Sequence, residues 1–211
     1  SRVDNGVDPA TTYAYDLNAR VTTVTNGLGQ ATRYSYDAAG RLTQVATPGA
    51  RPPWPVDSYT YGAGGELLRI TDAAGRGIDM AYDARGNRIL QRDAAGNTIE
   101  RSYDARNRLL TETTYGTPDP DGAGAARPGG AQTTRYIYES GGQQRLHYVI
   151  SPQGRVTEYL YNSLGERTSV IGYGGGDLYA LGALGAGELP TEQAVQNWTA
   201  SRLAARTRTD M

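Results

Sequence analysis

The chain has 211 residues, a formal net charge of −1, 16 tyrosines, 2 tryptophans and 28 glycines, with neither phenylalanine nor cysteine. Near-neutral charge supplies no field to draw in nucleic acid or an anionic membrane, and without cysteine there is no disulfide or thiolate chemistry. No apolar run approaches the ~18 residues of a membrane span, and Ser1–Asn5 lacks a signal peptide's apolar stretch.

The N-terminal residues 1–10 are rich in turn signals, Asn5-Gly6 and Asp8-Pro9, and read as a lead-in segment. From Thr11 a repeat begins. It is plainest in Thr71–Leu109, where Asp72-Ala-Ala-Gly75, Asp83-Ala-Arg-Gly86, Asp93-Ala-Ala-Gly96 and Asp104-Ala-Arg-Asn107 start 11, 10 and 11 residues apart. Aspartate opening a type I turn accepts from the backbone two residues on, and glycine in fourth place takes the left-handed conformation. The two together make a hairpin loop with a bulge. In that geometry Asp faces the residue after Gly: Arg20, Arg41, Arg76 and Arg108, or Asn87 and Asn97. The next pairs outward are Tyr15 with Val21, Tyr36 with Leu42, Tyr61 with Leu67 and Tyr103 with Leu109. Only six or seven residues separate successive turns, a strand's length.

Taken in order, the predicted strands are Thr11–Asp16, Arg20–Thr25, Ala31–Tyr36 and Arg41–Thr47. The turn Asp16-Leu-Asn-Ala19 departs from the pattern, because alanine stands where glycine belongs; Asn18 is the expected left-handed substitute. Pro48–Pro55 interrupts the repeat with four prolines, an insertion taken as 48–58. The repeat then runs through Tyr61, Tyr82 and Tyr103 to a Pro/Gly/Asp-rich insertion at 116–132, expected as an exposed, mobile hairpin tip. Thr133–Tyr138, Gln144–Ile150, Val156–Tyr161 and Glu166–Ile171 complete the series. Beyond the array of 11–172, residues 173–189 read as a Gly-rich linker. Residues 190–206 read as a helix with Val195, Trp198 and Leu203 on one stripe, and 207–211 as the start of another strand.

The fold class is therefore all-β: an antiparallel meander of hairpins with one short C-terminal helix. Roughly fourteen strands at ~4.8 Å would form a sheet about 65 Å wide, wide enough to curl or split. The Tyr- and Ala-rich strands favour a curled or spiral wall. The motif Tyr-Asp-x-x-Gly-Arg-Leu, intact at Tyr36–Leu42 and close at Tyr82–Arg88 and Tyr103–Leu109, resembles the YD repeats of the RHS family. That family includes bacterial polymorphic toxins, the B and C subunits of Tc toxin complexes, and teneurins. The resemblance implies a long β-sheet ribbon forming a hollow shell, a secreted or cell-surface protein, and an enclosed C-terminal cargo as partner to the rest of the chain.

Candidate chemistry is weighed against these hairpins. Asp37, Gly40, Arg41, Asp72, Gly75, Asp83, Gly86, Asp93, Gly96 and Asp104 are expected to build turns, not a catalytic or metal centre. Tyr15, Tyr36, Tyr61, Tyr82, Tyr103, Tyr138 and Tyr161 are expected to form a packing ladder. Asp119 and Asp121 lack the acidic twelfth ligand of a calcium loop and read as solvated. His147, the single histidine, has no nearby nucleophile and reads as a strand residue. The isolated Asp8-Pro9 and Asp119-Pro120 do not match the family's self-cleaving region, and Asn197-Trp-Thr199 on a helix is read as an accidental glycosylation pattern. No cofactor is expected. The leading reading is a non-catalytic wall segment. The alternatives are an adhesion or glycan-binding module using Trp54 and the long loops, or a self-associating fibre or matrix component built on exposed strand edges.

Overall fold

The structure, a computed structural model, describes residues 10–48, 53–119, 129–173, 179–181, 184, 187–202 and 206–210. Among them lie fifteen strands and one helix: β1 Thr12–Asp16, β2 Val21–Thr25, β3 Ala31–Tyr36, β4 Leu42–Ala46, β5 Val56–Tyr61, β6 Leu67–Thr71, β7 Gly77–Tyr82, β8 Arg88–Asp93, β9 Thr98–Tyr103, β10 Leu109–Thr117, β11 Gly129–Tyr138, β12 Leu146–Ile150, β13 Val156–Tyr161, β14 Arg167–Tyr173, α1 Glu192–Ala200 and β15 Arg206–Asp210. The strands follow chain order in an antiparallel open meander. Turn residues recur every ten or eleven positions and leave no room for helix between them.

The chain divides into two units, Ser1–Ala81 and Tyr82–Met211. In the first, cross-strand registers place Tyr13, Tyr15, Tyr34, Tyr36, Tyr59 and Tyr61 on one face with Val24, Val45 and Ile70. The other face carries Thr23, Arg33, Ser35, Gln44, Ser58 and Thr60. Met80 is its one buried large apolar residue among those described, so ladder bonds and side-chain pairs hold this unit more than a core does.

In the second unit the face opposite the tyrosines changes character. Ile137, Tyr148, Ile150, Val156, Ile171 and Tyr173 stand there and form a buried cluster, which α1 covers with Val195; Tyr179, Leu181 and Trp198 pack around it. Burying a valine or isoleucine fully stabilises by roughly 1.5–3 kcal/mol, so this cluster gives α1 its place. Thr191 caps the helix by accepting from the Ala194 N–H at 3.2 Å.

Several boundaries differ from the sequence reading. The helix ends at Ala200 rather than 206, and Arg206 already belongs to β15, paired with Tyr173 of β14. At its end Thr199 and Ser201 hydroxyls donate to the carbonyls of Gln196 and Trp198, a local bonding that competes with helix continuation. Leu203 lies outside the described residues. Residues 173–189 are not simply a linker: Tyr173 is buried in β14, and the Tyr179 N–H donates to the Gly154 carbonyl at 2.8 Å. The insertion at 48–58 is shorter, because β5 begins at Val56 and the ladder already reaches Pro55, whose carbonyl accepts from Thr47. The insertion at 116–132 shrinks likewise, since Thr117 pairs with Gly129 and Tyr115 with Ala131. Its tip, with Asp121, lies outside the described residues, as do residues 1–9 and Met211.

Candidate functional site

The repeated turns share one local geometry. Asp37 Oδ1 accepts from the N–H groups of Ala39 and Arg41, and its Oδ2 accepts from Arg41 Nε at 2.7 Å. Asp72 does the same with Ala74 and Arg76, and Asp104 with Arg106 and Arg108. Asp83 and Asp93 substitute the amides of Asn87 and Asn97 for the guanidinium. In each of these turns the left-handed place is filled by Gly40, Gly75, Gly86, Gly96 or, in the Asp104 turn, Asn107. Hydrogen bonds to the ionised form hold the carboxyls of Asp37, Asp72 and Asp83 below their usual range; for Asp37 the Arg41 N–H is the largest cause. The cross-strand pairs Tyr36–Leu42, Tyr61–Leu67 and Tyr103–Leu109 fall where the spacing puts them.

The first turn does not follow. Tyr15 faces Thr22 and Asp16 faces Val21, not Arg20. Alanine at 19 resists the left-handed conformation, so the loop lengthens and Arg20, not Asn18, takes it with φ 51°. A second variant escaped the sequence reading altogether. At Glu139–Arg145 the turn is two residues longer, and glutamate reaches across it to pair with Arg145 at 2.9 Å. The Glu-to-Arg pairing was visible in the sequence, but at unfamiliar spacing.

Neighbouring turns along one end of the strands are locked to each other. The guanidinium of Arg41 lies 4.8 Å from the Tyr61 ring centre while its Nη1 donates to the Gly62 carbonyl at 3.1 Å. Arg108 repeats this over Tyr138, at 4.4 Å, with Gln144, and Arg145 over Tyr161, at 4.6 Å, with Asn162. In the second unit the tyrosines also donate backward: Tyr103 to the Arg88 carbonyl, Tyr138 to Leu109 and Tyr161 to Leu146. Asn87 donates sideways to Asn107 at 2.9 Å. Each ring is thus a lateral contact between hairpins. Tyr82 closes β7 at the corresponding place ahead of Asp83.

Two residues read as unremarkable are placed in enclosed polar surroundings. Asp119 is 2 % exposed, which corrects its reading as solvated. Its N–H donates to the Gly96 carbonyl at 3.1 Å and its carboxylate stands 3.4 Å from Arg92, so the strand end folds against the Asp93 turn. His147 is the second. After five of the turns on the tyrosine end the ladder slips by one residue, a β-bulge whose extra residue is Thr43, Leu68, Leu110, His147 or Thr168. The bulge brings the His147 ring onto Tyr148, with centroids 4.0 Å apart. His147 Nδ1 lies 2.6 Å from Glu192 of α1 and Nε2 lies 3.4 Å from Glu158. Glu158 also accepts from the hydroxyls of Tyr148 and Tyr173, at 3.1 and 2.6 Å, and Glu192 accepts from the Ser140 N–H.

Burial opposes charge on His147, yet the bonds to Glu158 and Glu192 outweigh it and raise its pKa. Burial likewise pushes against ionisation of Glu158, and its histidine and tyrosine donors bring it below the usual value. Burial and the bond to Glu158 push the Tyr173 hydroxyl up to about 12. The cluster borders an open depression of ≈ 350 Å³ with Thr199, Arg206 and Arg208 on its rim. Its donors and acceptors are spent on one another, and the result is an ionic anchor between helix and sheet. Among the described residues, no group of His, Asp and Glu is arranged to hold a metal ion. Trp54 is half-buried in the short segment before β5.

Asp-opened turns, bulged hairpins and arginine–tyrosine locks repeated in register define a β-hairpin repeat protein. The sequence profile of the RHS Repeat matches residues 15–52 and 82–123. Among solved structures, the crystal structure of TcdB2-TccC3-Cdc42 superposes with a TM-score of 0.56 at 16% identity, over 80% of this chain and 9% of that one. That of TcdB2-TccC3 gives 0.55 at 16% identity, over 75% and 9%. The chain therefore spans about a tenth of the length of the chains it matches, and the likeness is one of fold. A search of curated proteins finds no match. The RHS Repeat match thus covers two stretches of the hairpin array, and the likeness of fold extends over most of the chain.

Proposed function

We propose that this chain is a non-catalytic wall segment of a larger secreted bacterial RHS-type protein, contributing consecutive strands to a β-sheet shell around a toxin or other cargo. The RHS Repeat matches and the fold support a structural repeat segment; enclosure, cargo and secretion are what the proposal adds. The observation that supports it best is the arginine–tyrosine lock. Three hairpins spend their turn arginine on the ring and a carbonyl of the next hairpin, as neighbour-dependent repeat arrays require. The His147 cluster fits the same reading, because its charges anchor α1 across the sheet face and are not held ready for a substrate.

The experiment is limited proteolysis of the full-length parent protein. The expected result is that any segment following the repeats stays intact at protease levels that degrade the same segment in isolation. Degradation of that segment as fast as in isolation would reject enclosure.

A further inference from the structure

The regular locks define a three-part site for a guanidinium. Arg41 satisfies all three parts at once: its Nε bonds Asp37 Oδ2, its Nη1 bonds the Gly62 carbonyl, and its plane lies over Tyr61. Arg108 does so with Asp104, Gln144 and Tyr138, and Arg145 with Glu139, Asn162 and Tyr161. The corresponding groups in the first turn are Asp16, the Asp37 carbonyl and the ring of Tyr36. The arginine due there is Arg20.

Arg20 does not fill that place. With alanine at 19 it is drawn into the left-handed corner of the loop, at φ 51°, and Val21 takes the position across from Asp16. Among the described residues no guanidinium stands over Tyr36 and no arginine pairs with Asp16. An open depression of ≈ 250 Å³ occupies the spot, lined by Tyr15, Asp16, Leu17, Tyr36 and Asp37, with Arg20 at its wall but not over the Tyr36 ring.

We propose that this depression is a binding slot for an arginine side chain presented by a partner polypeptide. Asp16 Oδ1 is engaged by the N–H groups of Asn18 and Ala19, while Oδ2 is the oxygen that receives arginine Nε in the regular turns. The Asp37 carbonyl accepts from Gly40 at 3.1 Å, as the Gly62 and Asn162 carbonyls accept from Gly65 and Gly165. Those two carbonyls take an arginine on their second lone pair as well. The ring of Tyr36 supplies the cation–π face. A hairpin added ahead of β1 would bring its own arginine to Tyr15, by the same spacing, and would leave the Tyr36 slot open.

The test is an amide-resonance titration of the whole chain with acetyl-Gly-Arg-Gly-amide, the citrulline analogue serving as an uncharged isostere. The arginine peptide is expected to shift resonances at residues 15–22 and 36–40 with millimolar affinity, and the citrulline peptide to bind at least tenfold more weakly. Ala19→Gly restores the Asp-x-x-Gly-Arg turn, lets the chain's own Arg20 occupy the slot, and is expected to abolish the shifts. Tyr36→Leu, which keeps an apolar strand residue, is expected to weaken binding at least fivefold. Equal shifts with citrulline, no shifts with arginine, or undiminished binding by both variants would each overturn the assignment.

Discussion

His147→Phe is the most informative single substitution in the second unit. Phenylalanine keeps a ring against Tyr148 but withdraws both nitrogens from Glu192 and Glu158, whose side chains are only 12% and 13% exposed. Breaking a fully buried ion pair costs about 3–5 kcal/mol. Here each carboxylate keeps other donors, Ser140 for Glu192 and two tyrosines for Glu158, so a smaller loss of about 2 kcal/mol, below that range, is expected. That corresponds to a roughly 30-fold larger open population of α1, since each 1.4 kcal/mol is tenfold. Hydrogen exchange of the α1 amides reads this directly, with urea unfolding followed through Trp198 in a Trp54→Phe background.

The effect carries a pH signature. His147's folded pKa is raised above 6.5, so its contribution is complete below pH 6.5 and fades as pH rises through the raised value. Glu158 and Glu192 are lowered from 4.5, so theirs is complete above pH 4.5 and fades as pH falls through the lowered values. The gap between wild type and variant should therefore be widest between pH 4.5 and 6.5 and shrink as pH rises through the raised value of His147. Glu139, whose carboxylate also feels His147, acts in the same direction. Unchanged α1 exchange, or a gap independent of pH, would refute the anchor.

Three further outcomes follow from the turns. Gly75→Ala meets open space at φ +81° and should cost only the left-handed backbone penalty of about 1–2 kcal/mol. Gly96→Ala at φ +84° also drives its methyl into the Asp119 carbonyl, so its urea midpoint should fall clearly further than that of Gly75→Ala. Arg108→Lys should cost ~0.5–1 kcal/mol by removing the guanidinium from Tyr138, and more than Arg76→Lys, whose arginine is 75% exposed and pairs with Asp72. Asp72→Asn should be milder in thermal unfolding than Asp72→Ala, because Asn26 and Asn162 already accept the same backbone N–H groups in their own turns.

The hairpins were legible because their information is local. A turn's aspartate, its left-handed residue and its first cross-strand pair lie within a few positions, and Tyr36–Leu42 could be placed by counting. The Asp16 turn was flagged by its alanine, but counting pointed to Asn18, whereas Arg20 is the residue that takes the left-handed place. What the sequence hid is long-range. The partner of His147 on α1 lies 45 positions away, and the bulge that re-aims the ring appears only when two strands are set in register. Asp119 looked solvated because Pro, Gly and Asp surround it in sequence. Its burial comes from the Asp93 turn, which folds against it.

The central claim is that these repeats are consecutive strands of a shell wall. A cryo-electron-microscopy map of the full-length parent protein tests it most directly. The expected map shows β1 to β14 as neighbouring rungs of one closed wall, with further repeats continuing the sheet and density enclosed within it. A map showing residues 12–173 as a separate module on the outside of the particle, joined by no further strands, would contradict it.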